Sequence, residues 1–233
     1  MNYEKNIEEL TKQGFSIVDD FYSDEEINKM SNILSAASEE GSSFMRNKDL
    51  FAIRQVLKEI PELQEVLFNE QLRSLLPEGY FLTKSIYFDK PGKSNWFVSL
   101  HQDISISVDE RYDVAGYTNW TFKRGQHGVI PPEEILENSI TIRVHLDDTD
   151  DKNGALSVIP KSHVLGVKRI EELEEKGTIT CVVKRGGVML MKPLTFHSSK
   201  KSIEDRNRRV IHLEFSNKEL KKPLCWLEKV SLN

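Results

Sequence analysis

The chain has 233 residues, and 32 Lys and Arg against 37 Asp and Glu give a formal net charge of −5. That length fits one large domain or two small ones, and 38% hydrophobic with 30% charged residues is a globular composition. The acidic balance argues against nucleic acid or an anionic membrane as partner, since both call for concentrated positive charge. Two cysteines, Cys181 and Cys225, cannot build a disulfide framework. The opening MNYEKNIEEL has no apolar signal-peptide core, and no run approaches the ~18 apolar residues of a transmembrane helix. A reducing cytoplasm is the expected setting.

The first third reads as helical. Ser23 and Glu26 form a capping box, with Asp24 and Glu25 in the first turn. Ile27, Met30, Leu34 and Ala37 follow at helical spacing, with Gly41 as a stop. A second helical region is expected through Ile53, Val56 and Leu57, restarting at Pro61 and running to Leu76. From Gly79 the texture becomes strand-like: 80–88, 96–108, 140–146, 155–159, 178–191 and 209–215, with turns at Pro91-Gly92, Asn153-Gly154 and Gly186-Gly187. Short strands without intervening helices point to an antiparallel sandwich or barrel. Residues 109–137 carry Tyr112, Tyr117, Trp120, Phe122 and His127 and read as a long functional loop, a lid.

Within two strands the alternation is informative. Ile140, Ile142, Val144 and Leu146 oppose Thr141, Arg143 and His145, while Ile211, Leu213 and Phe215 oppose Arg208, Val210, His212 and Glu214. The polar face is either solvent-exposed or the interior of a barrel holding a polar site.

The chemistry-bearing residues start at His101-Gln102-Asp103. Two residues apart on a strand, His101 and Asp103 project from one face, where Phe97 and Ser99 are expected to line the same pocket. His197 follows the apolar run Val188–Met191, and Arg208 lies further on, opening the last strand. Two imidazoles and a carboxylate make the facial triad of non-haem Fe(II) oxygenases, which leaves positions for a keto acid and O2. A guanidinium fork is the natural partner for the keto acid's distal carboxylate.

With HQD, RVHLDDTDDKNGALSVIPKSH, and GGVMLMKPLTFHSS followed by RRVIHLEF, the sequence resembles the phytanoyl-CoA dioxygenase family of Fe(II)/2-oxoglutarate oxygenases. GFSIVDDFYSDEEI is similar to that family's first strand and helix, so the resemblance runs from about residue 14 to 216. It implies a mainly β fold with α: a double-stranded β-helix, or cupin-like jelly roll, braced by N-terminal helices. The whole chain 1–233 is then one domain, with 1–78 as helical support and 79–233 as the jelly-roll core. The resemblance also implies His101, Asp103 and His197 as iron ligands, and Arg208 with Ser199 on the distal carboxylate of 2-oxoglutarate. Arg143, Lys84 and Ile86 would line the cosubstrate pocket, although family members commonly carry other side chains at the place of Arg143. Gln102, Tyr87 and Trp120 are the candidate contacts to a small-molecule substrate. Related halogenases lack the carboxylate, so Asp103 favours hydroxylation.

His127, His145, His163 and His212 read as structural histidines, and Arg206 and Arg209 are the alternatives to Arg208. The acidic run 147–151 does not fit a calcium loop, because Thr149 and Pro160 would occupy ligand positions that need carboxylates. Two other readings remain: a metal-binding jelly roll acting as a sensor or interaction module, and a cupin-like metalloenzyme that does not use 2-oxoglutarate. No Lys/Arg cluster marks a coenzyme A phosphate site, so an acyl-CoA substrate is not expected.

Overall fold

The computed structural model describes residues 3–37, 44–46, 51–92, 97–173 and 177–232. The expected helix stop at Gly41 and the start of a strand at Trp96 lie outside these residues. In chain order the first elements are α1 (Glu4–Gln13), β1 (Phe15–Val18), α2 (Asp24–Ala37), β2 (Phe44–Arg46), β3 (Phe51–Arg54), α3 (Val56–Glu59), α4 (Leu63–Leu67) and α5 (Glu70–Leu75). Then come β4 (Phe81–Lys90), β5 (Val98–His101), β6 (Ile106–Val108), β7 (Thr118–Lys123), β8 (Gln126–Ile130), α6 (Glu133–Glu137) and β9 (Ser139–His145). The last are β10 (Leu156–Val158), β11 (Ile179–Thr180), β12 (Val188–Met191), β13 (His197–Ser199), β14 (Arg208–Ser216) and β15 (Val230–Ser231).

Two antiparallel sheets form the jelly roll. The larger has the order β1-β12-β9-β14-β4-β3-β2, with β15 also on β4; the smaller is β11-β10-β13-β5. The strand period of two divides the large sheet's residues between faces. Ile140, Ile142, Val144, Ile211, Leu213 and Phe215 lie on the outer face, in one buried cluster with Ile27, Met30 and Leu34 of α2 and with Leu57, Leu63, Leu67 and Leu72 of the short helices. The opposite face, which carries Arg143, Arg208, His212 and Glu214, looks into the jelly roll toward the small sheet. The polar faces noted in the sequence are therefore interior.

The capping box forms as expected: the Ser23 N–H donates to Glu26 Oε2 at 2.8 Å, and the Glu26 N–H donates to Ser23 Oγ at 3.3 Å. The region 53–76 differs from the expected helices. Ile53 sits in β3 against Tyr87, and the rest divides into three helices of four to six residues. Each is too short to be stable alone and is held by its buried leucines. The first third also supplies strands as well as support, since β1, β2 and β3 all belong to the large sheet.

Residues 109–137 are not an open loop. β7 and β8 form a hairpin that pairs with β6 as a third sheet. Its two-residue turn is Arg124-Gly125, with φ of +55° and +72°. Two consecutive positive-φ residues make the tight turn whose twist matches paired strands. Arg at the first position hides this signal in the sequence.

Candidate active site

A cavity of about 220 Å³ lies between the two sheets. The small sheet contributes Val98, His101, Leu156, His197 and Ser199, and the large sheet contributes Lys84, Ile86, Phe88, Arg143, Arg208, His212 and Glu214; Asp103 completes the wall. The adjacent strands β13 and β5 pair His197 with His101, then Ser199 with Val98. One extra residue on β5 between these pairs makes a bulge, which shifts the alternation. Val98 therefore shares the His101 face instead of Ser99, and Phe97 is 60% exposed to solvent. Just past β5, Asp103 is tied back by its N–H, which donates to Pro193 O at 2.9 Å.

The donor atoms converge. Asp103 Oδ1 lies 3.5 Å from His101 Nε2, and Oδ2 lies 3.6 Å from His197 Nε2. His101, Asp103 and His197 are the group among the described residues whose donor atoms gather closely enough for one ion, within 4.8 Å of each other. Both imidazoles are oriented from behind: His101 Nδ1 donates to Ser99 O at 2.8 Å and His197 Nδ1 to Thr195 O at 2.9 Å. Carbonyls only accept, so each Nδ1 carries the proton and each Nε2 presents its lone pair to the common point. When His101 takes up a second proton, on Nε2, it can donate to the Asp103 carboxylate, and this raises the imidazole above the ordinary histidine value. Burial pushes His197 down. Burial acts to raise Asp103, but the field of His197 and the His101 hydrogen bond outweigh it and hold the carboxyl well below its usual range. Two neutral imidazoles and a carboxylate are the donor set that Fe(II) takes in a facial site.

Arg208 is the most telling side chain. It is buried, and its Nε and Nη1 have no hydrogen-bond partner among the described residues. Burial, then the nearby Arg143, push it down to about 9, which leaves it charged at neutral pH. Ser199 Oγ is also buried, with no partner among the described residues. An unpaired buried guanidinium is costly and implies an anionic occupant. Its sequence rivals are committed elsewhere: Arg209 grips Asp147 with two bonds, at 2.6 and 2.9 Å, and Arg206 holds Asp150 and Glu204.

The large sheet's wall carries a second polar group around Arg143. Arg143 Nη1 donates to His212 Nδ1 at 3.1 Å. Guanidinium can only donate, so His212 carries its proton on Nε2 and donates to Glu214 Oε1 at 3.1 Å. Glu214 also accepts from Lys84 at 2.8 and 2.9 Å. His212, expected to be structural, is therefore a cavity wall residue, and Phe88, Val98 and Leu156 join it. The alternating polar set on β14 was the signal for His212 and Glu214.

Lys90 is a further buried cation beside the site, without a motif in the sequence to mark it. It pairs in register with Arg208, is fully buried, and donates to Lys200 O at 2.8 Å. Burial and then Arg208 push it down to about 8.

Three candidate substrate contacts lie elsewhere. Tyr87 is next to Ile86 on β4, so it points to the outer face and is buried in the helix-packed core. Gln102 turns away from the cavity: its Nε2 donates to Gly166 O and Leu194 O, and its Oε1 accepts from the Lys168 N–H. Trp120, on β7, packs against a separate core under a cation–π contact from Arg111. His145 is buried with Nδ1 on Thr149 Oγ1 at 2.8 Å, and burial, then Arg143 and Arg208, hold it well below the usual range.

No curated protein matches the sequence. Solved structures do match the fold. EctD from S. alaskensis with bound Fe is 20% identical, with a TM-score of 0.70 over 94% of this chain and 79% of that one. The non-heme alpha ketoglutarate dependent epimerase SnoN from nogalamycin biosynthesis is 14% identical, with a TM-score of 0.69 over 91% and 81%. HygX from Streptomyces hygroscopicus, solved with nickel, 2-oxoglutarate and hygromycin B, is 13% identical, with a TM-score of 0.63 over 91% and 86%. No helix among the described residues is long and apolar enough to cross a membrane. A family model for phytanoyl-CoA dioxygenase matches residues 10–210, from the end of α1 to the start of β14, and the chain belongs to that family of Fe(II)- and 2-oxoglutarate-dependent oxygenases.

Proposed function

We propose that the protein hydroxylates an aliphatic C–H of a small organic molecule, with His101, Asp103 and His197 holding the iron and Arg208 and Ser199 holding the distal carboxylate of 2-oxoglutarate. The observation that carries this is the pairing of a convergent His-Asp-His donor set with an unpaired, buried Arg208 in one cavity. Iron, 2-oxoglutarate and O2 supply the oxidising power: one oxygen atom enters the C–H bond as an alcohol, the other enters succinate, and CO2 leaves. The chain's own residues position the reactants. Ser99 O and Thr195 O fix the imidazoles, Arg208 anchors the cosubstrate, and Ile86, Phe88, Val98 and Leu156 supply the apolar walls.

Purified protein given Fe(II), 2-oxoglutarate and O2 is expected to convert 2-oxoglutarate slowly to succinate without added substrate. Arg208→Ala should lose this at low cosubstrate and regain it at high. Absence of succinate from wild type loaded with Fe(II), at any cosubstrate concentration, contradicts the proposal.

A further inference from the structure

Building on that oxygenase reading, we infer that Arg143 is the anchor for a carboxylate on the substrate, so that the enzyme acts on a small carboxylate-bearing molecule. The cavity's charges are paired one by one. Lys84 and Glu214 neutralise each other through two short bonds. Arg208, backed by Lys90, takes the distal carboxylate of 2-oxoglutarate. Asp103 offsets half the charge of a divalent cation, and the cosubstrate's other carboxylate offsets the rest. Arg143 is left over: its one hydrogen bond among the described residues goes to an imidazole nitrogen, Nδ1 of His212, and not to a carboxylate.

The free edge of Arg143 has the right shape. Nη1 is occupied by His212, while Nε is buried without a partner among the described residues. The Nε–Nη2 edge is thus available as a two-pronged fork, and a planar carboxylate is its geometric match. Arg143 is 8% exposed and lines the same cavity as Asp103 and His197, so an anion on it lies beside the iron ligands. On the sheet it pairs with His212, while Arg208 lies four residues along β14 from that pair, two beyond the Val210–His145 pair. The two guanidinium groups therefore rise from different rows of the wall, one for each of two anions.

The test is anaerobic calorimetry on the Fe(II)-loaded protein, with 2-oxoglutarate titrated first. Amino acids and hydroxy acids of four to six carbons follow, each beside its primary amide. At least one carboxylate is expected to bind wild type about 10-fold more tightly than its amide. Arg143→Gln should reduce that preference to within about 3-fold while moving 2-oxoglutarate affinity by no more than about 3-fold; Arg143→Lys should retain part of the preference, because it keeps the charge and loses the fork. In the ligand-free protein the melting temperature of Arg143→Gln should equal or exceed that of wild type, because an uncompensated buried charge is removed.

Two results overturn the inference: no carboxylate outcompeting its amide on wild type, or a loss of about 10-fold or more in 2-oxoglutarate affinity in Arg143→Gln, which puts Arg143 on the cosubstrate. Should Arg143→Gln not fold, the wild-type acid–amide comparison and Arg143→Lys still decide. Failure of wild type to bind 2-oxoglutarate with iron present sinks the oxygenase reading instead, so the two failures are separable.

Discussion

Two residues outside the donor set shape how the site works. Gln102 stands between two metal-ligand candidates yet spends its amide on the 166–168 segment and on Leu194 O. It acts by holding His101 and Asp103 in place. Gln102→Ala is expected to weaken metal affinity roughly 10–100-fold, as removal of outer supports does at metal sites, and competitive chelation of bound metal measures it. Lys90 acts through charge. Its value near 8 lies below the ordinary lysine 10.5, so between those pH values the unfolded chain binds more protons than the folded one. The ligand-free fold therefore gains stability as pH rises through that window. Binding of 2-oxoglutarate should respond in the opposite direction, because the ammonium beside Arg208 favours an anion and is lost above pH 8. Cosubstrate affinity measured at pH 7 and pH 9 should fall with pH in wild type, and Lys90→Met should reduce that dependence.

At the scale of elements, strand alternation decides which candidate residues meet, and bulges decide where alternation resets. Lys84, Ile86 and Phe88 face the cavity and Tyr87 does not, so the period of two in β4 rules out Tyr87 as the substrate contact it was expected to be. The bulge between the β13 and β5 pairs was not legible, since no Gly or Pro marks it, and it exchanged Ser99 for Val98. The hairpin of β7 and β8 was hidden in the same way by Arg124 at positive φ. The helices support the outer face, and their caps are linked: Asn69 accepts from the Leu72 N–H to cap α5 and donates to Glu26 of the α2 capping box at 2.8 Å. Asn69→Ala should cost about 1–2 kcal/mol, lowering the melting temperature by roughly 2–8 °C. Cosubstrate affinity should stay unchanged, because this link lies on the side of the sheet away from the cavity. Thermal melts paired with a 2-oxoglutarate titration check both parts.

At the scale of the molecule, one long sheet does two jobs. Its outer face is covered by helices as an ordinary apolar core, which frees the inner face to carry Arg143, Arg208, His212 and Glu214 against the small sheet. The jelly roll, the His-Asp-His set and Arg208 were legible because strand period, ligand spacing and family resemblance agree on them. Lys90 was not, because a lysine near a strand end reads as solvent-facing until the register puts it beside Arg208. The joining of β1, β2 and β3 to the large sheet was equally out of reach, since those pairings connect distant parts of the chain. The central claim is that the cavity between the two sheets holds iron on His101 and His197 of the small sheet with Asp103, and 2-oxoglutarate on Arg208 of the large one, and anaerobic visible spectroscopy tests it most directly. Fe(II) with 2-oxoglutarate should produce a weak charge-transfer band in wild type, no band in His101→Ala, and in Arg208→Ala a band that needs about 100-fold more 2-oxoglutarate. A wild-type protein that binds Fe(II) yet shows no such band at saturating 2-oxoglutarate contradicts the account.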